Sequence, residues 1–358
     1  MSGTRPLRIA MLVPPWYELP PSGYGGLELL VTHLVDALVN RGHHVTLFGA
    51  GTSSGTGAEF VSTVAEPQHM RLGQGLPELL HVARADRLIN DGDFDVVHDH
   101  TASGLLAAPH RRVPTVATVH NCPKGELAEY LRSIDPVVAL VAISHAQRQV
   151  SAGLPWITTI YNGLKLSGPA KSAPSKGPVL WLARFTADKG PDLAIRAAQQ
   201  AGLPLVLAGK ATEPSERGYL EEVIMPMLHP GVELITNPDG NLYRQLLADA
   251  RSLIMPIRWE EPFGLVMIEA MAAGTPVVAL NHGAVPEVVR HGKTGLVLDN
   301  PAQLPDALHE VAEIDPMVCA QHVLTTFTAD LMARRYERVY RRWAEIGNSS
   351  PVRQKQAA

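Results

Sequence analysis

Two glutamates bracket the stretch Glu261-Pro262-Phe263-Gly264-Leu265-Val266-Met267-Ile268-Glu269, and that spacing is the most chemically suggestive feature of the chain. Pro262 fixes its own φ and disfavours helix for the residue before it, so Glu261 is expected in a loop with its side chain free to face a cleft. Gly264 leaves room for a ligand to approach the backbone. The apolar residues that follow, Leu265, Val266, Ile268, Ala270 and Met271, suit a buried helix ended by Gly274 before Pro276. Its first turn offers unpaired N–H groups and a positive dipole end to an anion. Glu269, about a turn and a half inside, suits vicinal hydroxyls such as those of a ribose and not a phosphate. The plain alternative is a pair of solvated glutamates on an amphipathic helix, which the spacing alone does not exclude.

Other groups could serve the same ligand. Arg184 and Lys189, in Leu182-Ala183-Arg184-Phe185-Thr186-Ala187-Asp188-Lys189-Gly190, follow a strand at the edge where open α/β sheets bind ligands. A guanidinium holds a diphosphate through parallel hydrogen bonds and an ammonium adds a compact charge. Lys210 is a further candidate phosphate contact. Gly25 and Gly26 open the first helix, where backbone amides can reach phosphates, although the Gly-Tyr-Gly-Gly run is no dinucleotide fingerprint. His98 and His100 end one strand and His120 ends another, and no further ligand stands at metal spacing, so no metal site is expected. Gly292-Lys293-Thr294 echoes a phosphate loop, but Glu287 stands where that motif needs glycine.

These groups need a scaffold. Arg8–Val13, Val45–Phe48, Asp95–His98, Thr115–Val119 and Val137–Ile143 read as strands, with a helix over Leu27–Asn40 stopped by Gly42. A polar, Pro- and Ser-containing stretch near 165–178 reads as an exposed linker. A second alternation follows, with strands at Val179–Leu182, Leu205–Ala208, Val232–Thr236, Ser252–Pro256 and Gly274–Leu280. Two such parallel sheets joined by one linker imply an α/β chain of two Rossmann-like domains facing across a cleft.

The block from Ser252 to Val289, with the E-x7-E pattern of Glu261 and Glu269, resembles the nucleotide-sugar site of the family-4 retaining glycosyltransferases. The resemblance extends from Arg8 to about Trp343. It implies the GT-B architecture, with an N-terminal acceptor domain over 1–165, a donor domain over 166–328 and a last helix near 329–343 packing back on the first. It also implies that Glu269 holds the ribose, that Glu261 holds sugar hydroxyls, and that Arg184 and Lys189 take the diphosphate. Phe263, Gly264 and Leu265 then line the donor at the helix start, His120 lies near the transferred sugar, and His98 and His100 lie towards the acceptor. Ala183 stands where the family usually has glycine, and Ala208-Gly209-Lys210 departs from the family's glycine-rich turn, which leaves base recognition around Asn237–Asn241 open.

The implied activity is retaining transfer of a hexose from a nucleoside-diphosphate sugar, UDP-glucose or similar, to a hydroxyl acceptor, without cofactor or metal. Rival readings are a nucleotide-sugar epimerase of the same fold and a catalytically silent sugar-nucleotide binding module. A net charge of −4 with no basic block argues against nucleic acid. Two distant cysteines point to a reducing, cytoplasmic setting, and no apolar run is long enough for a membrane span. The first helix has a core face and no basic membrane-seeking face, which favours a soluble acceptor. The tail from Asn348 to 358 is polar and is expected to be disordered.

Overall fold

The computed structural model describes residues 5–21, 25–52, 55–166 and 177–349. Most of the expected linker, the tail beyond Ser349, and Gly23 and Tyr24 lie outside these residues. The chain forms two compact units. One combines described residues up to Lys165 with the segment from Ala329, and the other runs through Leu166–Thr328.

The first unit holds a sheet of seven strands, β1 (Arg8–Leu12), β2 (His44–Ala50), β3 (Glu59–Val64), β4 (Val96–Asp99), β5 (Thr115–Val119), β6 (Ala139–Ala142) and β7 (Trp156–Thr159). Their order is β3-β2-β1-β4-β5-β6-β7 and every pairing is parallel. Parallel strands sandwiched by helices have no solvent face, so β4, β5 and β6 are buried throughout and read as near-continuous apolar runs. The order reverses between β1 and β4, the place where such sheets open a crevice at their carboxyl ends.

The helix Gly26–Asn40 covers this sheet through Leu30, Val31, Leu34, Val35 and Leu38, and ends where Gly42 takes φ 87°. The helix Ala329–Ser349 packs back on the same unit, burying Met332, Ala333, Tyr336 and Tyr340. Glu337 ties the two helices together, taking Arg41 at 2.7 Å and Arg341 at 2.8 Å. Burial raises the Glu337 carboxyl, but hydrogen bonds from Arg341 and Arg41 outweigh it and pull it down to about 2. The helix runs past Trp343 and includes Asn348 and Ser349, the first two residues of the stretch expected to be disordered. Gly347 lies within the helix without stopping it, and the first proline after Ala329 is Pro351.

The second unit holds six parallel strands, β8 (Val179–Arg184), β9 (Leu205–Lys210), β10 (Val232–Thr236), β11 (Ser252–Met255), β12 (Val277–Leu280) and β13 (Gly295–Leu298), in the order β10-β9-β8-β11-β12-β13. Its reversal lies between β8 and β11. Trp181, Phe185, Leu207, Ile254 and Val278 form the core with the helices beside them. Among the described residues no helix is long and apolar enough to cross a membrane.

Candidate functional site

In the second unit the chemistry gathers beyond the carboxyl ends of β8 and β11. Lys189 closes a short turn after β8, and its backbone is fixed from two sides. The Trp181 indole N–H donates to its carbonyl at 3.0 Å, and Gly190 follows it at φ 66°. A Cβ on Gly190 would lie 2.1 Å from the Pro256 carbonyl oxygen, so that approach of turn and loop requires glycine. The loop after β11 brings Glu261 alongside. Lys189 Nζ donates to Glu261 Oε2 at 2.7 Å and sits 4.3 Å from the centre of the Trp259 ring, whose Nε1 donates to the same oxygen at 3.1 Å. The cation thus rests between a carboxylate and an aromatic face, a geometry that holds it without a buried cage.

Glu261 is held equally firmly at its backbone. Ala284 N donates to its carbonyl at 2.8 Å and Gly283 N donates to Glu260 Oε2 at 2.8 Å. A Cβ on Gly283 (φ 58°) would meet the Glu261 carbonyl oxygen at 2.3 Å. Gly264 (φ 83°) caps the helix Leu265–Ala272, whose free amides follow directly. The ring of Phe263 is buried edge-on against Phe327, with centroids 5.8 Å apart, so its side chain serves packing. Leu265 is half-buried at the first helical position.

Within that helix Glu269 Oε2 accepts from the Tyr243 hydroxyl at 2.6 Å. Burial raises the Glu269 carboxyl above its usual range and the tyrosine hydrogen bond opposes that rise. Tyr243 comes from the helix Gly240–Asp249, capped by Asp239, so the helix that starts within the segment left open by the sequence supplies a partner for one key glutamate. Arg184, at the end of β8, is half-buried and has no ion pair among the described residues. Lys210 differs from the expected phosphate ligand. It is buried at the end of β9, with Nζ 2.6 Å from Glu213 and 3.5 Å from Glu216, and so braces its own turn.

In the first unit Gly25 precedes the helix that Gly26 starts. A Cβ on Gly25 would lie 2.6 Å from the Pro21 Cβ and 3.3 Å from Glu28 Oε2. Glu28 is buried beneath it, and desolvation pushes its carboxyl up to about 7 against a hydrogen bond from its own backbone amide.

The three histidines meet at the carboxyl ends of β4 and β5. Alternation along β4 puts His98 and His100 on one face and Asp99 on the other, where Asp99 pairs with the buried Arg111 at 2.8 Å. His98 is fully enclosed. Its Nδ1 is 2.6 Å from the Tyr340 hydroxyl and its Nε2 2.8 Å from Thr118 Oγ1, which in turn meets the Tyr336 hydroxyl at 2.7 Å. That ring is therefore a tie between β4, β5 and the last helix, with no free nitrogen for an acceptor. His100 Nδ1 lies 2.9 Å from His120 Nε2, and only His120 of the three keeps partial exposure. Burial lowers all three below the ordinary imidazole range, with His120 pushed down to about 3. Among the described residues no cluster of three His, Cys, Asp or Glu forms a metal-ligand set.

Trp259, Tyr243, Gly283 and Met11 are the contributors that sequence reading missed. Trp259 alone had a local signal, an aromatic two residues before the first glutamate.

Comparison with known proteins divides the chain at the same place. Residues 24–167 match the model of Glycosyltransferase Family 4, and residues 169–317 match that of Glycosyl transferases group 1. A glycogen synthase from Mycobacterium tuberculosis is 28% identical over 334 residues, covering 78% of this chain and 80% of that protein. Among solved structures, a sucrose-phosphate synthase from Thermosynechococcus elongatus superposes with a TM-score of 0.75 at 20% identity, covering 96% of this chain and all (100%) of that one. Alr3699/HepE of Anabaena, solved in complex with UDP-glucose, gives 0.70 at 19% identity over 93% of this chain and 99% of that chain. Each unit thus matches one glycosyltransferase family model, and the fold is the GT-B fold of these structural neighbours.

Proposed function

We propose that this protein is a retaining hexosyltransferase that moves a sugar from a nucleoside diphosphate, UDP-glucose or a close relative, to a hydroxyl acceptor. The observation that carries the reading is the Lys189–Glu261 pair beside the capped start of the helix that holds Glu269. Three positive features stand ready for one diphosphate: the Lys189 ammonium, the Arg184 guanidinium and the unpaired amides after Gly264. Glu269, oriented by Tyr243, suits the paired hydroxyls of a ribose. Glu261, oriented by Lys189 and Trp259, suits hydroxyls of the sugar in transit. The complex of Alr3699/HepE with UDP-glucose supports that choice of donor.

In the reaction so read, the bond from the anomeric carbon to the diphosphate oxygen breaks as the acceptor oxygen bonds the same carbon. The acceptor proton passes to the departing phosphate oxygen on the same face. Charge grows on the diphosphate, where the cations and helix dipole stabilise it more in the transition state than in the bound donor. Opposite-face attack would need a positioned base, and His120, held neutral beside His100, has no carboxylate behind it.

Thermal-shift titration with a panel of nucleoside diphosphates and their sugars tests the reading, with UDP and UDP-glucose expected to raise Tm most. Absence of stabilisation by every member would sink it. An acceptor glycoside whose NMR coupling constant shows inverted configuration would sink the stereochemical part alone.

A further inference from the structure

What His120 can recognise depends on which of its ring nitrogens carries the proton, and the groups behind it decide that. Met11 Sδ lies 3.2 Å from His100 Nε2. A thioether accepts a hydrogen bond and has no proton to give, so Nε2 of His100 bears the hydrogen. The reverse arrangement would set two lone pairs against each other inside the protein. Burial, reinforced by His98 and His120, keeps His100 neutral, so its Nδ1 carries a lone pair. His120 Nε2, 2.9 Å away, must then be the donor. Since His120 is neutral as well, its Nδ1 is left without a proton.

We propose that Met11 and His100 are positioning residues that fix His120 as the Nε2–H tautomer, so that it offers Nδ1 as a hydrogen-bond acceptor to a hydroxyl of the carbohydrate substrate. The choice of substrate group rests on the transferase reading above; the tautomer does not. A lone pair there welcomes an O–H and repels a phosphate or carboxylate oxygen, so the contact selects for a hydroxyl over an anion.

The test uses the full chain labelled with 15N-histidine. Two-bond 1H–15N spectra separate the tautomers, and loss of one signal set in His120→Asn assigns the residue. His100 and His120 are both expected as Nε2–H. His100→Asn keeps an acceptor oxygen near the Nδ1 position and should preserve the His120 tautomer and most turnover. His100→Leu removes the acceptor. It should mix the His120 tautomers and lower kcat for UDP release from UDP-glucose by about 10-fold or more, with affinity for bare UDP unchanged. Met11→Leu, close in volume, repeats the test without altering either imidazole and should mix the tautomer of His100. A wild-type His120 in the Nδ1–H form, or a tautomer unmoved by both His100→Leu and Met11→Leu, overturns the proposal. If the tautomers are as stated and His120→Asn keeps full turnover, the contact with substrate is refuted while the Met11–His100–His120 chain stands.

Discussion

The glutamate loop of the second unit and the histidine cluster of the first solve opposite problems. Around Glu261 the groups are ionised and matched, with Lys189 at 2.7 Å and an indole N–H on the same oxygen. Around His98 and His100 the groups are neutral and enclosed: Tyr340, His98, Thr118 and Tyr336 form one hydrogen-bonded chain, and His100 pairs with His120 beside it. Charge is kept where a charged ligand can exchange with an existing partner at small desolvation cost. Where the surroundings are dry, the protein uses groups that orient without charge.

The sharpest way to break this contrast is to remove a carboxylate. Glu261→Ala is expected to lower kcat by about 10²- to 10³-fold with little loss of affinity for bare UDP, whereas Glu269→Ala is expected mainly to weaken UDP binding. Calorimetric titration of UDP against both variants checks it, and equal losses of affinity would end the division of roles.

Glu28 extends the contrast to an acid in the neutral half. Its carboxyl, buried and pushed from the usual 4.5 to about 7, favours the folded state while protonated. That stability is fully present below about pH 4.5 and is lost as pH rises through about 7, by about 3 kcal/mol. Glu28→Gln should therefore gain stability over wild type between pH 5 and pH 8 in urea unfolding. A difference between the two proteins that stays flat across that range would mean Glu28 is ionised throughout.

If Arg184 serves the diphosphate as proposed, Arg184→Ala should reduce turnover by about 10²-fold with a smaller effect on donor affinity, because that charge grows in the transition state. Near-native kcat would make it a surface cation. In the neutral cluster, Tyr340→Phe leaves His98 Nδ1 without its partner and should cost about 1–3 kcal/mol in chemical denaturation while kcat stays within a few-fold. The smallest effect belongs to chelator. On the proposed reading two cations and a helix start serve the diphosphate, so EDTA should leave turnover unchanged. Activity abolished by EDTA and restored by a divalent ion would overturn that.

The same contrast explains what could be read from sequence. Glu261 and Glu269 were legible because a loop glycine and one helix fix their relation within nine positions, as were the central strands, whose apolar runs follow from burial on both faces. The edge strands β3 and β7, with polar residues among the apolar ones, were not marked, and neither was the edge strand β13, which opens on a glycine. Gly283 must lie against the Glu261 carbonyl, and that need shows only in space. Tyr243 stands 26 positions before Glu269, and Tyr340 stands 242 after His98. No local period links such partners. His98 and Lys210 showed the opposite failure, residue types that suit chemistry but are engaged in holding the fold.

The return of Ala329–Ser349 to the first unit reverses the order in which the two halves can be finished. A ribosome delivers all seven strands of the first sheet early, yet the tyrosines that satisfy His98 and Thr118 emerge only after the whole second unit. The second unit, contiguous from Leu166 to Thr328, can close on its own before then. The half that begins first is thus completed after the other, and in the interval the surface that Ala329–Ser349 covers stands open.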